Sequence, residues 1–293
     1  MFQIPVTYFF AFGQTGDELR RYIFHEFAVN GAKHLVLASD LIQMIFQNHK
    51  MAGQLRQEAA AEGLTFMDAH SAFGGILDLN CPDPDFRPQM ILRQKMAIRV
   101  AAQMGVDTIT IHPGSDRFFP EIPLEKHFDL MRDGLDRILP EAEACGVTVC
   151  IENSMSRAAC PAAVVMLKNE YDTDTLGLCY DCGHANQLDN GRHHPGGTIW
   201  KYWQMVGVDE PEWDDRIIEK MLPQMVNCHL HDNDGSGDAH AMPGNGNVDW
   251  KKIIPLLKHQ APRLKVIQSE VKMPAGGSIR ELCAKFAELG ELE

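Results

Sequence analysis

The chain has 293 residues, and 27 lysines and arginines stand against 40 aspartates and glutamates, a formal net charge of −13. That length suits a single α/β domain, 1–293, able to bury a large core without staples. The acidic balance argues against a large basic surface for nucleic acid and against attraction to anionic lipid, and no apolar run approaches the length needed to span a membrane.

The N-terminal stretch MFQIPVTYFFAF has no charged leader region and no small-residue cleavage site, so it reads as a first strand. Apolar strand-like runs then alternate with longer amphipathic stretches. Strands are expected near 4–10, 34–38, 64–70, 107–112, 147–152, 176–181, 226–231 and 265–270. Helices are expected near 16–30, 48–62, 88–104, 125–145, 161–169, 214–222, 249–259 and 278–289. Gly63, Gly105 and Gly146 stand where helix C-caps belong, and Asp249 and Ser278 where N-caps belong. Eight βα units favour a closed (β/α)8 TIM barrel, and no GxGxxG follows the first strand to suggest an open doubly wound sheet.

Two connections are long. Residues 71–87 follow the third strand, and residues 185–213 follow the sixth and carry Trp200, Tyr202, Trp203 and Trp213. Loops of this length act as lids, ligand contacts or contacts within a homo-oligomer. The aromatic cluster is suited to stacking on a sugar ring or to packing against the barrel. The eight cysteines are few for this length and several lie in apolar runs, which points to reduced thiols and a cytoplasmic location. Cys179 and Cys182 form a lone CxxC around Asp181, without the second pair a zinc knuckle needs.

The strands end on metal-ligand residues. His70, His112, Glu152, Asp181, His229 and Glu270 each close a strand, with His184 three residues after Asp181. Parallel strands in a barrel would bring all of them to one face. Glu152, Asp181, His229 and Glu270 offer three carboxylates and one imidazole, a set suited to one divalent ion: Mn²⁺, Mg²⁺, Co²⁺ or Zn²⁺. Three acids buried together without a cation would repel one another at a cost of several kcal/mol unless protonated. His70, His112, His184, His231, Asp238 and His240 are candidates for further ions, up to three in all, or for contacts to substrate; Asp232 lies among them. The PAGGS run, 274–278, is a candidate for a phosphate site.

The motifs IHPGSD (111–116), CIENS (150–154), YDCGHAN (180–186), CHLHDND (228–234), DAHAMPGNG (238–246) and SEV (269–271) resemble those of the xylose-isomerase-like TIM barrels. That superfamily holds sugar and sugar-phosphate isomerases and epimerases, inosose dehydratases and endonuclease IV. The ketose 3-epimerase branch holds one ion at positions matching Glu152, Asp181, His229 and Glu270, with a substrate-binding histidine matching His184. In endonuclease IV, nine ligands of three zinc ions match His70, His112, Glu152, Asp181, His184, His229, Asp238, His240 and Glu270. The family's PGEG reads PGNG here, with Asn245, and the Tyr-Leu pair that helps the nuclease wedge DNA is replaced by the Ser71–Gly75 stretch.

The resemblance implies an isomerase or epimerase of a small sugar, polyol or sugar phosphate acting through a metal-stabilised ene-diolate, with Glu152 and Glu270 as the proton-transferring pair; lyase or dehydratase chemistry is a close neighbour. The expected partner is a small carbohydrate, not nucleic acid or membrane. The alternatives are an endonuclease IV-like zinc phosphodiesterase on abasic DNA and a non-catalytic sugar-binding barrel subunit.

Overall fold

The computed structural model describes residues 2–13, 15–273 and 277–293. In chain order the elements are β1 (Val6–Tyr8), α1 (Asp17–Val29), β2 (His34–Leu37), α2 (Ser39–Gln47), α3 (Met51–Ala61), β3 (Thr65–His70), α4 (Arg87–Met104), β4 (Thr108–Ile111), α5 (Leu124–Cys145) and β5 (Thr148–Glu152). There follow α6 (Pro161–Asn169), β6 (Leu176–Asp181), α7 (Cys182–Asn190), α8 (Thr198–Met205), α9 (Ile217–Met221), β7 (Met225–Leu230), α10 (Trp250–Gln260), β8 (Val266–Ser269) and α11 (Ile279–Leu289). The eight strands close in sequence order into one parallel barrel, β1 pairing with β8, and the fold is the expected α/β TIM barrel.

Local chemistry places the elements. α4 and α5 end on Gly105 and Gly146, both in the left-handed conformation that glycine adopts without strain. Asp249 caps α10, and Ser278 and Glu281 form a reciprocal capping box on α11. No helix among the described residues is long and apolar enough to cross a membrane.

Three helices were not legible in the sequence. α2 fills the β2–α3 connection and is separated from α3 by the extended Asn48. α7 begins on the ligand candidate Asp181 itself, whose side chain accepts the His184 amide at 2.6 Å and caps the helix. α8 lies within residues 185–213, which therefore form two helical segments over the barrel mouth instead of an open loop. The cause is the run TIWKYWQM, which buries Ile199 and Trp203.

The barrel interior is polar. Thr7, Asp68, Thr108, Thr110, Asn227 and Gln268 are fully buried. Asn227 on β7 donates across the barrel to the Asp68 carboxylate at 3.2 Å and to Thr110 Oγ1 at 2.9 Å. Thr108 donates to Asp68 at 2.7 Å. Asp68, Thr108, Thr110 and Asn227 thus form one network, whereas Thr7 Oγ1 and both polar side-chain atoms of Gln268 are buried without a hydrogen-bond partner, each at a cost of about 1–3 kcal/mol. The network supports the floor of the site, because Thr110 Oγ1 meets His229 Nε2 at 3.3 Å.

Candidate metal centre

The strand register assembles the ligand candidates. Asp181 and His229 are direct partners between β6 and β7, and Glu152 pairs with Cys179 one strand over. Ligand atoms of Glu152, Asp181, His229 and Glu270 all lie within 4.8 Å of one another, as do those of His70, Glu152 and His229, of His184, Asp238 and His240, and of His231, His240 and Glu270. Glu152 is the hub. Its Oε2 lies 3.1 Å from His112 Nε2 and 3.5 Å from His70 Nε2, and its Oε1 lies 3.3 Å from His184 Nδ1 and 3.6 Å from His229 Nδ1. The site residues read from the sequence therefore converge, Asp232 excepted.

Hydrogen bonds to carbonyls fix the imidazole tautomers, because a carbonyl only accepts. His70 Nδ1 meets Ser71 O at 2.8 Å, His184 Nδ1 meets Asn153 O at 2.9 Å, and His240 Nδ1 meets Glu270 O at 2.8 Å. Each Nδ1 donates, which leaves Nε2 of His70 to face Glu152 and those of His184 and His240 to face Asp238. His229 is turned the other way: Nε2 meets Thr110 and Nδ1 points at the carboxylates. Asp238 Oδ2 bridges His184 Nε2 at 3.4 Å and His240 Nε2 at 3.0 Å. His240 has φ +46, so its backbone is held in the sparsely populated left-handed region to aim that ring.

The charges balance by proton sharing. Burial pushes the Glu152 carboxyl up, but the His112 and His229 imidazoles outweigh it and hold the acid well below the usual range. Burial opposes protonation of His112, His184 and His229, but Glu152 beside His112, Asp181 and Asp238 beside His184, and Cys179, Glu270 and Glu152 beside His229 override it and raise all three. His240 is pushed up to about 9, against its burial, by Asp238 and Glu270. Glu270 is likewise lowered against burial by His229.

This donor set fits a divalent ion. Glu152 Oε2, His229 Nδ1 and Glu270 Oε2 are buried with no hydrogen-bond partner. His229 Nδ1 and Glu270 Oε2 stand 3.0 Å apart without the alignment of a hydrogen bond. Buried polar atoms left unpaired around a common point are what a coordination site requires before its ion binds.

Two residues of the cluster make contacts that the sequence did not specify. His231 Nε2 holds both oxygens of Asp181, at 3.1 and 3.0 Å, and its ring stacks on His240 at 3.9 Å, so it orients a ligand candidate. Gly183 permits this packing, because a Cβ there would clash with the His231 ring. Asp232 anchors the 238–248 segment by accepting the Gly244 and Val248 amides and the Trp250 indole N–H, and it faces away from the ligand set. His231→Ala is therefore expected to weaken binding of the ion by about 10- to 100-fold while leaving the far-ultraviolet circular dichroism unchanged. Titration calorimetry with Mn²⁺ measures it, and an unaltered affinity would show that His231 orients nothing.

Sequence reasoning missed three contributors. Asn153 clamps Asp181, accepting its amide at 2.8 Å and donating to its carbonyl at 3.0 Å, and its place directly after Glu152 was the available signal. Asp68 supports the floor from the middle of a strand, where nothing marks it. Arg117 sits 4.2 Å from the ring centroids of both Phe118 and Tyr202 and lines a chamber with His112, Glu152 and His184. Of the aromatic cluster, Trp203 is buried and donates to Met155 O, while Trp200 and Trp213 pack on each other with centroids 5.3 Å apart; Tyr202 alone lines that chamber. In the PAGGS run, Pro274, Ala275 and Gly276 lie outside the described residues. The eight cysteines are unpaired.

A family model described as xylose isomerase-like TIM barrel matches residues 36–283. The chain belongs to this family. An uncharacterized protein of Methanocaldococcus jannaschii is 24% identical over 169 residues, 55% of this chain and 50% of that protein. One from Sinorhizobium fredii is 24% identical over 170 residues, 54% and 45% of the two chains. The chain thus spans about half the length of these curated relatives. Among solved structures, D-psicose 3-epimerase with D-tagatose from Clostridium cellulolyticum superposes with a TM-score of 0.71 at 15% identity, covering 99% of both chains. The 3-keto-D-glucoside 4-epimerase of E. coli gives 0.69 at 14% over 97% of both chains. A Thermus thermophilus protein soaked with zinc chloride gives 0.61 at 21% over 98% of this chain and 99% of that one. At these identities the likeness is one of fold.

Proposed function

We propose that the protein is a divalent-metal-dependent isomerase or epimerase of a small sugar, polyol or sugar phosphate. The observation that carries this reading is the pair of acids flanking His229: Glu152 from β5 and Glu270 beyond β8, each with a buried, unpartnered Oε2. Glu152, Asp181, His229 and Glu270 would hold the ion. A bound divalent ion supplies Lewis-acid polarisation of substrate oxygens, which acidifies the neighbouring C–H. Glu152 and Glu270, both held as carboxylates, are the proton-transferring pair: one takes that proton as base, and the carbon regains the same proton or, on the other face, one that Glu152 passes on from the protonated His112 3.1 Å away. His184 holds a substrate oxygen at Nε2. Arg117, Ser115 and Tyr202 line the adjoining chamber of about 210 Å³ and offer donors to hydroxyls or to an anionic group. The fold neighbours named as sugar epimerases support the same reading.

The test is exchange of a substrate C–H in D₂O with the Mn²⁺-loaded protein. Exchange is expected for at least one member of a broad panel of ketoses and inososes, and its absence throughout sinks the proposal. A second reading is favoured by one observation: all nine residues that match the zinc ligands of endonuclease IV converge here, in overlapping clusters. Three bound ions per chain together with cleavage of an abasic-site oligonucleotide would put a phosphodiesterase in place of the isomerase. The net charge of −13 weighs against it, because a duplex ligand calls for a basic footprint.

A further inference from the structure

Phe73 stands between two cavities at the barrel mouth and lines both. Its ring stacks on His112 at 4.3 Å and 22°, meets His70 edge-on at 5.1 Å, and is 52% exposed. On one side lies the polar chamber of Ser115, Arg117 and Tyr202. On the other lies a cavity of about 530 Å³ whose walls include Phe9, Phe10, Ala11, Val271 and Met273. It opens directly onto the proposed reaction centre, since His70, His240 and Glu270 form part of its wall.

The second cavity is built for carbon. Phe10 is rooted in the core by Phe12 and Phe27, with centroids 4.9 and 6.3 Å away. Asp40 also borders the cavity, but its carboxylate is already engaged by the Gly13 and Leu41 amides, each at 2.7 Å. Ser39, Lys272 and the His70–His240–Glu270 wall add polar groups to its lining, but a polyol placed against Phe9, Phe10, Ala11, Val271 and Met273 would lose water from its hydroxyls and regain few hydrogen bonds there. An aromatic ring would bury its faces against phenyl groups and gain their edge and offset contacts. The volume lies in the range of pockets that enclose whole drug-sized ligands, so a free sugar in the polar chamber leaves it without a purpose in binding.

We propose, building on the sugar reading above, that the substrate is a sugar carrying an aromatic substituent, with the aromatic group in the Phe9–Phe10–Phe73 cavity and the polyol part in the Arg117–Tyr202 chamber. Ala11 provides the test, because it is exposed and lines only the apolar cavity of the two. Ala11→Trp fills that space without entering the core, and Met273→Trp, after the neighbouring strand β8, is a second variant that fills it.

The experiment is titration calorimetry of the full-length Mn²⁺-loaded protein with phenol and with 4-nitrophenyl, octyl and methyl glycosides of glucose, galactose and xylose. The 4-nitrophenyl glycoside of at least one sugar is expected to bind about ten-fold or more tighter than its methyl counterpart. Either tryptophan variant should erase that advantage and leave the methyl glycoside unchanged. Equal binding of aryl and methyl glycosides, or equal weakening of both in the two variants, overturns the proposal. An octyl glycoside that binds as tightly as the aryl one overturns the aromatic assignment. If no glycoside binds but phenol does, and loses affinity in the variants, the cavity stands and the sugar reading falls. If phenol binds nowhere as well, the cavity assignment falls too.

Discussion

Glu152→Gln will reduce the rate of substrate C–H exchange by between about a hundredfold and ten-thousandfold, the usual worth of a positioned acid or base. The substitution keeps the shape of the side chain and removes its charge. In the native site that charge faces four imidazoles, with oxygen to nitrogen distances between 3.1 and 3.6 Å. Three of those rings, His112, His184 and His229, are raised in large part by neighbouring carboxylates. An amide cannot balance them, so occupancy by the ion should fall along with exchange. Glu270→Gln removes the other member of the pair and should cost exchange comparably, but it touches His229 alone among the ligand imidazoles at hydrogen-bond range. Its loss of ion binding should therefore be smaller. Metal content by elemental analysis and exchange by mass spectrometry separate the two effects. Exchange within tenfold of wild type in Glu152→Gln, at full occupancy, would remove Glu152 from the proton-transferring role.

The legibility of this site in the sequence follows from its architecture. A buried parallel strand is a short apolar run, and a ligand at its C-terminal end is a polar residue that stops the run. His70, Glu152 and Asp181 are the last residues of their strands, and His112 and Glu270 come one position later. The pattern was therefore one-dimensional even though the pocket is not. What orients those ligands was hidden. His231 and Asn153 act on Asp181 from just beyond the ends of β7 and β5, and Asp68 reaches the floor through Asn227, 159 residues away in the chain. No spacing rule encodes such a contact. α7 was hidden for a different reason: its N-cap is a ligand candidate, and a strand-end Asp followed by Cys-Gly-His carries no hydrophobic period to announce a helix. α8 carries one, but its tryptophans read equally well as a sugar platform until Trp203 is seen buried.

Glu58→Ala will destabilise the protein by about 3–5 kcal/mol, because it strands a buried cation. Arg20 on α1 is fully buried, a rare state for arginine. Its Nε and Nη2 donate to the two oxygens of Glu58 on α3 at 2.8 and 2.9 Å, a bidentate pair that ties two helices of the outer ring together. Asp17, 3.0 Å from Nη2 and 59% exposed, would remain as a single-oxygen partner that does not reach Nε. Urea unfolding should show a lowered midpoint, with Mn²⁺ stoichiometry unchanged, since the pair lies outside the barrel mouth. Burial raises the Glu58 carboxyl, but the hydrogen bonds from Arg20 and Gln54 outweigh it and leave the group below its ordinary value of 4.5. A lowered folded-state value means that its contribution is complete above the unfolded value and fades as pH falls through the folded one. The wild-type and Glu58→Ala midpoints should therefore approach each other in acid and separate fully near neutrality. Arg20→Leu combined with Glu58→Leu removes both charges and should recover most of the loss, since apolar packing often replaces a buried pair without penalty. A single Glu58→Ala cost below about 1 kcal/mol would instead place this pair with ordinary surface ion pairs.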